Sequence, residues 1–427
     1  MQNTASQKGT YPRWQMWYVF ILLFVIYIFD YVDRFAIVSI FPFLKTDWGL
    51  TDAQCGLFVS ALFWSMVVFV IPIGALVDRW SRKNSIALMA IIWSLATGAA
   101  AFTKTFIQML ITRCVVGVGE AAYAPGGTAI ISAMFPPEKR SRMIGIFLAG
   151  APLGQALGIA IGGMIAVSLG WRSVLGLVAI PGFIIALMFF WVKDYKTVEL
   201  VQSVKQQDTT TKVRMSKRDI VRELFRRPSL ILNNFAYAAC CFVIVAFTTW
   251  LPAYFQRFGG VSIQQSGIMA AGIMILSVIA FPVSGYLTDL WWRKNPNARM
   301  LMPAITATAG AVVVFVALQT HGGLQFGFLM LLGLFLGGPT AGSISVTQDC
   351  IHPGLRSTSY AINVIFQHFI GSALGPLVVG ALSDAYGLDK AFFMLPAMLL
   401  VAGIIFFIGA AFYKKDVASV EKLEVCF

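Results

Sequence analysis

Charge is scarce in this sequence. Only 12% of its 427 residues are charged, and 19 of them are acidic. Soluble domains carry about 25% charged residues, so a water-exposed surface of ordinary composition is excluded. Three scattered histidines offer neither a nucleophile–base pair nor a ligand set for a metal, and an enzyme is not expected. The six cysteines (Cys55, Cys114, Cys240, Cys241, Cys350 and Cys426) show no metal spacing and mostly lie in apolar stretches. They read as reduced structural residues. There is no phosphate-cradling G-x-x-x-x-G-K-[ST] sequence, so this chain alone is not expected to use a nucleotide as energy source. "GVGEAA" at 117–122 partly mimics a dinucleotide fingerprint, but it sits in an apolar helical stretch with no preceding strand. No cofactor and no metal are expected.

Apolar residues are abundant instead, at 58%, with a mean hydropathy of +0.78. Stretches long enough to cross a bilayer as helices recur twelve times, at roughly 14–43, 52–77, 84–103, 106–134, 141–168, 171–192, 229–256, 264–289, 300–319, 323–350, 357–384 and 389–412. The expectation is an all-α membrane protein with twelve transmembrane helices. No cleavable signal peptide is expected, because the first apolar run is too long and runs into Asp30 without a small-residue cleavage pattern.

The net charge of +13 is distributed by side. With spans alternating in direction, the side holding both termini collects 25 of the 32 basic residues, ten of them between 193 and 227. The other side has five: Lys45, Lys104, Arg172, Arg257 and Lys390. That asymmetry places both termini in the cytoplasm and makes a bilayer, not nucleic acid, the partner of the basic residues. The remaining two, Arg34 and Arg113, fall inside spans.

Residues 193–228 form the one long polar segment and read as a cytoplasmic linker between a bundle at 1–192 and a second at 229–427 with a short tail. Its end, "SKRDIVRELFRR", has a capping box (Ser216 with Asp219) and apolar Ile220, Val221, Leu224 and Phe225 at helical spacing. A short amphipathic helix on the membrane surface is expected there. The flanking halves repeat. "GALVDRWSRK" at 74–83 returns as "GYLTDLWWRK" at 285–294, and "FPPEKRS" at 135–141 returns as "IHPGLRS" at 351–357. Two pseudo-symmetric six-helix bundles follow, with any site between them near the midplane.

"DYVDRFA" at 30–36 puts Asp30, Asp33 and Arg34 in the first span. A charge at the bilayer centre costs about 2.5–3.5 kcal/mol on insertion scales, so each needs a partner or a task. At 1.5 Å per residue, Asp30 and Asp33 lie about 24 and 28 Å along the first span. Arg113 and Glu120 lie about 10 and 21 Å into the fourth, which runs the other way, so the depths are similar. Tyr27, Asp30 and Arg34 share a stripe, as do Arg113, Gly117 and Glu120. One reading is a neutralised network that only orients two helices. The other begins from the count: three carboxylates against two guanidiniums leave one acid surplus, a proton-binding group in the making.

The motif G-x-L-x-D-R-x-x-R-K at 74–83, with Ser81 at a customary glycine, resembles that of the major facilitator superfamily, and so does the whole chain. Asp33-Arg34 and Arg113…Glu120 resemble two of its groups, the anion:cation symporters and the Spinster-like transporters. "SALFWSMVVFVIPIGALVDR" leans toward the first; "TQDCIHPGLRSTSYA" and "GPLVVGALSDAYG" lean toward the second. The resemblance implies a secondary transporter in a plasma membrane such as the bacterial inner membrane. It implies proton binding at Asp33 or Glu120, with Arg34 and Arg113 as substrate-anion or gating charges. Asp30, where the anion symporters commonly have Asn, adds an acid to the coupling group. Proton-coupled symport of a small organic anion is expected first. Spinster-like movement of a lysolipid or other amphipathic molecule is the alternative, and a non-transporting membrane sensor the third.

Asp78, Arg79, Arg82 and Lys83 read as a cytoplasmic latch, repeated by Asp289 and Arg293, with Arg140 and Arg356 as potential partners of the two acids. Gln155, Asn233, Asn234, Gln367 and His368, with Tyr27, are candidate pocket polars, each weighed against an ordinary helix-packing hydrogen bond. Gly150, Gly154, Gly158 and Gly162 mark a close-packing stripe. The partners expected are protons, a small-molecule substrate and lipid, with the protein itself a monomer.

Overall fold

The computed structural model describes residues 13–79, 82–121, 123–135, 137–191, 226–351 and 355–420. Residues 192–225 of the linker, where the amphipathic helix is expected, and Cys426 lie outside these residues. The first set of helices is α1 (Arg13–Ser39), α2 (Phe41–Trp48), α3 (Asp52–Arg79), α4 (Arg82–Ala100), α5 (Phe106–Glu120), α6 (Tyr123–Met134), α7 (Pro137–Leu148), α8 (Gly150–Leu169) and α9 (Trp171–Met188). The second is α10 (Pro228–Gly259), α11 (Ile263–Trp292), α12 (Ala298–Gln319), α13 (Gly322–Leu336), α14 (Gly338–Asp349), α15 (Arg356–Phe366), α16 (Leu374–Tyr386), α17 (Leu388–Phe392) and α18 (Met394–Ala418).

Among the described residues, nine helical stretches are long and apolar enough to cross a bilayer, running from Asp52–Ile73 to Leu388–Ala418. They coincide with nine of the twelve apolar stretches, because length and hydropathy are properties of the local sequence. The other three are helical too. Arg13–Ser39 is continuous, Asn84–Ala100 is a shorter apolar helix, and 106–134 is divided into α5 and α6.

The division after Glu120 has a counterpart in the second set, where α13 passes into α14 at Gly337. A Cβ on Gly337 or Gly338 would run into Phe281 or Thr306, so glycines let this break press against its neighbours. A second matched pair of breaks separates α7 from α8 at Ala149 and α15 from α16 at a π-turn over Gln367–Ser372. In that turn the amide of Ala373 bonds the carbonyl of His368, five residues back.

α1 is held by α8 along the glycine stripe. A Cβ on Gly150 would meet Tyr27 and Ile28, on Gly154 the Ile28 carbonyl and Tyr31, on Gly158 the Val32 carbonyl, and on Gly162 the Ser39 hydroxyl. Small residues let two backbones meet where hydrophobic exclusion gives helices no reason to associate. The two sets meet through α3 against α16 and α8 against α11. Gly56 lies on the Pro376 carbonyl, Gly380 on that of Asp52, and Gly267 on that of Ile159. These contacts belong to the distal end, where α1 finishes and α3 begins. That end is shut.

Candidate functional site

Two glycines seat the charges. Gly117 of α5 rides on the Leu62 carbonyl of α3, and Gly119 packs on Met89 and Trp93 of α4. With α8 behind it, α1 presents Asp30, Asp33 and Arg34 to α5. All five charges are at most 3% exposed.

They divide into two groups. In the first, Arg34 Nη2 is 2.7 Å from Glu120 Oε2 and 3.1 Å from Asp30 Oδ2, and Arg34 Nε donates to the same Glu120 oxygen at 3.0 Å. One guanidinium thus serves two carboxylates. In the second, Arg113 Nη1 stands 3.6 Å from Asp33 Oδ1, and Thr97 of α4 bridges the pair: its hydroxyl donates to Asp33 Oδ2 and accepts from Arg113 Nη2 at 3.4 Å. That group is balanced one to one. The surplus acid therefore belongs to Asp30 and Glu120. Among the described residues, Glu120 Oε1 in the first group and Asp33 Oδ1, Arg113 Nε and Arg113 Nη1 in the second lack a hydrogen-bond partner. Buried charges with unpartnered atoms are a poor stabilising device, because desolvation is not fully offset.

Aromatic rings surround the first group. The Arg34 guanidinium carbon lies 4.4 Å from the Tyr31 ring centre and 5.4 Å from that of Phe63. Tyr27 stacks on Phe147 at 4.4 Å and meets Tyr31 edge-on at 5.2 Å. Across the interface, Phe63 stacks on His368 in the π-turn, 5.3 Å between centres and 18° between planes. The indole of neighbouring Trp64 donates to the Phe369 carbonyl at 3.3 Å.

The other polar candidates are more ordinary. Asn233 donates to the Ser343 carbonyl at 3.3 Å, and Asn234 accepts from Asn363 at 2.8 Å, both bonds between helices. Gln155 and Gln367 are half-buried and make no side-chain hydrogen bond among the described residues. The side chains of Asp78, Arg79, Arg82, Lys83 and Arg140 lie outside what is described. Asp289 and Arg293 are exposed. Arg356 turns back onto the Gln348 carbonyl at 3.1 Å and does not meet Asp289 in this conformation. An ion pair at that end of the second set joins Arg299 to Asp349, which also accepts from the Tyr413 hydroxyl at 2.6 Å.

A polar latch closes the distal end. Arg257 of α10 grips Asp52 of α3 with two bonds of 2.7 Å, and Ser383 of α16 donates to the same carboxylate at 2.5 Å. Lys45 adds a third cationic or polar donor from the first set. Reciprocally, Asp384 of α16 accepts from the backbone amides of Asp52 and Ala53 at 2.7 and 2.8 Å, satisfying the start of α3 from across the interface. Read from sequence, Lys45 and Arg257 were only loop charges, and Thr97, Phe63 and Tyr31 carried no signal beyond a polar or aromatic residue in an apolar run.

The family model for the Major Facilitator Superfamily matches residues 23–373. The chain belongs to that superfamily. It is a membrane transporter and not an enzyme. It is 27% identical over 429 aligned residues to Protein spinster homolog 1 of Xenopus tropicalis, covering 95% of this chain and 81% of that protein. It is 26% identical over 397 residues to the Hexuronate transporter of Bacillus subtilis (strain 168), covering 90% and 92%. The transporter also has the fold of a bacterial homolog to the human lysosomal transporter Spinster, solved inward-facing and unoccupied, with a TM-score of 0.78, 22% identity and 96% and 98% of the two chains covered. It likewise has the fold of a D-xylose-proton symporter, with a TM-score of 0.72, 15% identity and coverage of 92% and 97%.

Proposed function

We propose that this transporter is a proton-coupled symporter of a small organic anion. Two six-helix halves, twelve spans in all, would rock about a site near the midplane, with both termini in the cytoplasm of a bacterial cell. In that orientation the Asp52 latch faces outward, and the conformation seen is closed to the outside.

The observation that carries the reading is the division of the charges. Arg34 is held by two carboxylates and Arg113 by one. A proton entering the first group neutralises Asp30 or Glu120 and leaves one carboxylate on Arg34. The group is then charge-balanced, and the face of the guanidinium released by the neutral acid is available to an anion. Proton and anion each favour the binding of the other, which is the thermodynamic requirement of symport. Asp33, Thr97 and Arg113 keep a fixed pair beside it and hold α4 and α5 in register. The 26% identity to a hexuronate transporter supports a sugar acid among the anions to test first.

The 27% identity to spinster homolog 1 favours a second reading in which the same proton site drives a lysolipid or other amphipathic molecule. Liposomes holding a pH-sensitive dye separate the two. Monocarboxylates, sugar acids, dicarboxylates and lysolipids are added outside, to wild type and to Asp30→Asn, Asp33→Asn and Glu120→Gln. Proton entry with a carboxylate pool, lost in Glu120→Gln and weakened in Asp30→Asn, is the expected result. A response to lysolipids alone would replace the substrate class. Full proton entry in both Glu120→Gln and Asp30→Asn would remove the coupling role of this group.

A further inference from the structure

We infer that Phe63 and His368 form the link through which the protonation state of the Asp30–Arg34–Glu120 group reaches the second set of helices. Phe63 thereby acts as a positioning residue for coupling. This rests on the proton-coupled reading above.

The contact sits at a particular place. α3 meets α16 distally through Gly56 on the Pro376 carbonyl, and at mid-height its Phe63 and Trp64 meet the π-turn. Gly117 pins α3 to α5 beside Leu62, so Phe63 is carried with the helix that bears Glu120. Its ring is 3% exposed, with one neighbour the Arg34 guanidinium and another the His368 imidazole. On the far side, Gly371 within the π-turn packs on the Ala238 carbonyl of α10, so the turn is seated on its own set. A chain of touching groups thus runs from Asp30 and Glu120 through Arg34 and Phe63 to His368 and α10.

The site of the turn matters as well. A π-turn holds a wider, less regular backbone than the helices flanking it, and such turns recur at functional positions. His368 and Phe369 are the two residues of this turn that α3 touches through a ring and a hydrogen bond. When a proton neutralises one of the acids holding Arg34, the guanidinium loses one of its two anchors. Its position over Phe63 is then set by the remaining acid and by the rings of Tyr31 and Phe63. A shifted Arg34 alters the ring that His368 lies against. The charged and titratable groups facing this path are Asp30, Glu120 and Arg34 on the first set, with Tyr27 and Tyr31 beside them, the Asp33–Arg113 pair next to them, and His368 and Tyr360 on the second.

The test needs no substrate. Spin labels at Lys104→Cys and His321→Cys, one on each set at the distal end, report opening in a Cys55→Ala, Cys114→Ser, Cys426→Ser background, since Cys55 would itself take label when that end opens. Distance distributions are recorded between pH 5 and 8 in lipid. Wild type is expected to change its distribution with pH, and Glu120→Gln to remove the change. Phe63→Leu, which keeps an apolar side chain of similar bulk, is expected to lose most of the pH-dependent change, and Phe63→Tyr to restore it. His368→Phe, which keeps a stacked ring and removes the imidazole, is expected to respond as wild type does. A pH response in Phe63→Leu equal to that of wild type would overturn the link and leave the coupling reading intact. Loss of the response in His368→Phe would overturn it too, by making the imidazole itself the sensor. A wild type that ignores pH would overturn both.

Discussion

Replacing Arg257 with glutamine removes the cation that α10 contributes to the distal latch, at a distance from the buried charge cluster. In the closed arrangement Arg257 makes two bonds of 2.7 Å to Asp52 and one of 3.3 Å to Ser383. A hydrogen bond to a charged group contributes about 1.5–3 kcal/mol net. The Arg257 side chain is 34% exposed, and Asp52 would retain Lys45 and Ser383, so solvent screening and the surviving partners reduce the loss to about 2 kcal/mol. The two sets are joined by these bonds only while the distal end is shut. Their loss therefore acts on the opening equilibrium, at about 1.4 kcal/mol per factor of ten. The expected shift is about 30-fold toward opening, which would turn a ratio of about 1:99 into about 1:3.

Cys55 is a native reporter for this change. It is fully buried one turn inside Asp52. Alkylation by a membrane-impermeant maleimide, followed by mass spectrometry of the peptide containing Cys55, should proceed about 30-fold faster in Arg257→Gln than in wild type while opening is fast and rare. Adding Asp52→Asn to Arg257→Gln should cost much less than it does alone, since the pair shares one interaction. A rate within about threefold of wild type, corresponding to less than about 0.7 kcal/mol, would refute the latch.

Other substitutions test the scaffold of the site. Gly154→Ala should lower the midpoint of thermal unfolding through about 1–3 kcal/mol of overpacking against Ile28 and Tyr31, whereas Gly145→Ala, with open space at its Cβ, should not. Thr97→Val removes the bridge between Asp33 and Arg113 and should destabilise the protein by about 1–3 kcal/mol in the same assay, with Thr97→Ser close to wild type. Asp416→Ala strips α10 of a cap made by bonds of 2.9 and 2.5 Å from the Ser229 amide and hydroxyl. A loss of about 0.5–2 kcal/mol should appear as lower thermal stability, and an unchanged midpoint would show the cap to be redundant.

Much of the scaffold was legible residue by residue. An apolar run of membrane length declares a spanning helix by itself, and nine such runs are helices of the expected extent. The fourfold glycine spacing in the stretch 141–168 foretold a backbone contact, and the structure identifies α1 as the helix it admits. Depth was legible too, because the rise per residue of a helix is constant: Asp30 and Glu120 were placed at similar heights, and Arg34, one turn on from Asp30, bonds both.

Rotation about each helix axis and the choice of neighbour were not legible, because packing with other helices decides them. Three acids and two guanidiniums can be counted in a sequence, but their division into Asp30–Arg34–Glu120 and Asp33–Thr97–Arg113 depends on which way α1 and α5 turn and on a threonine brought in by α4. Arg257 read only as a loop charge, and nothing in the sequence pointed from it to Asp52, 205 positions away, which the closed distal end sets against it. Arg356, expected near Asp289, turns instead to the Gln348 carbonyl in the last turn of α14. Hydropathy and residue order assign these charges to apolar helices; which of them touch is settled by packing, since contact between helices depends on neighbours that no single helix encodes.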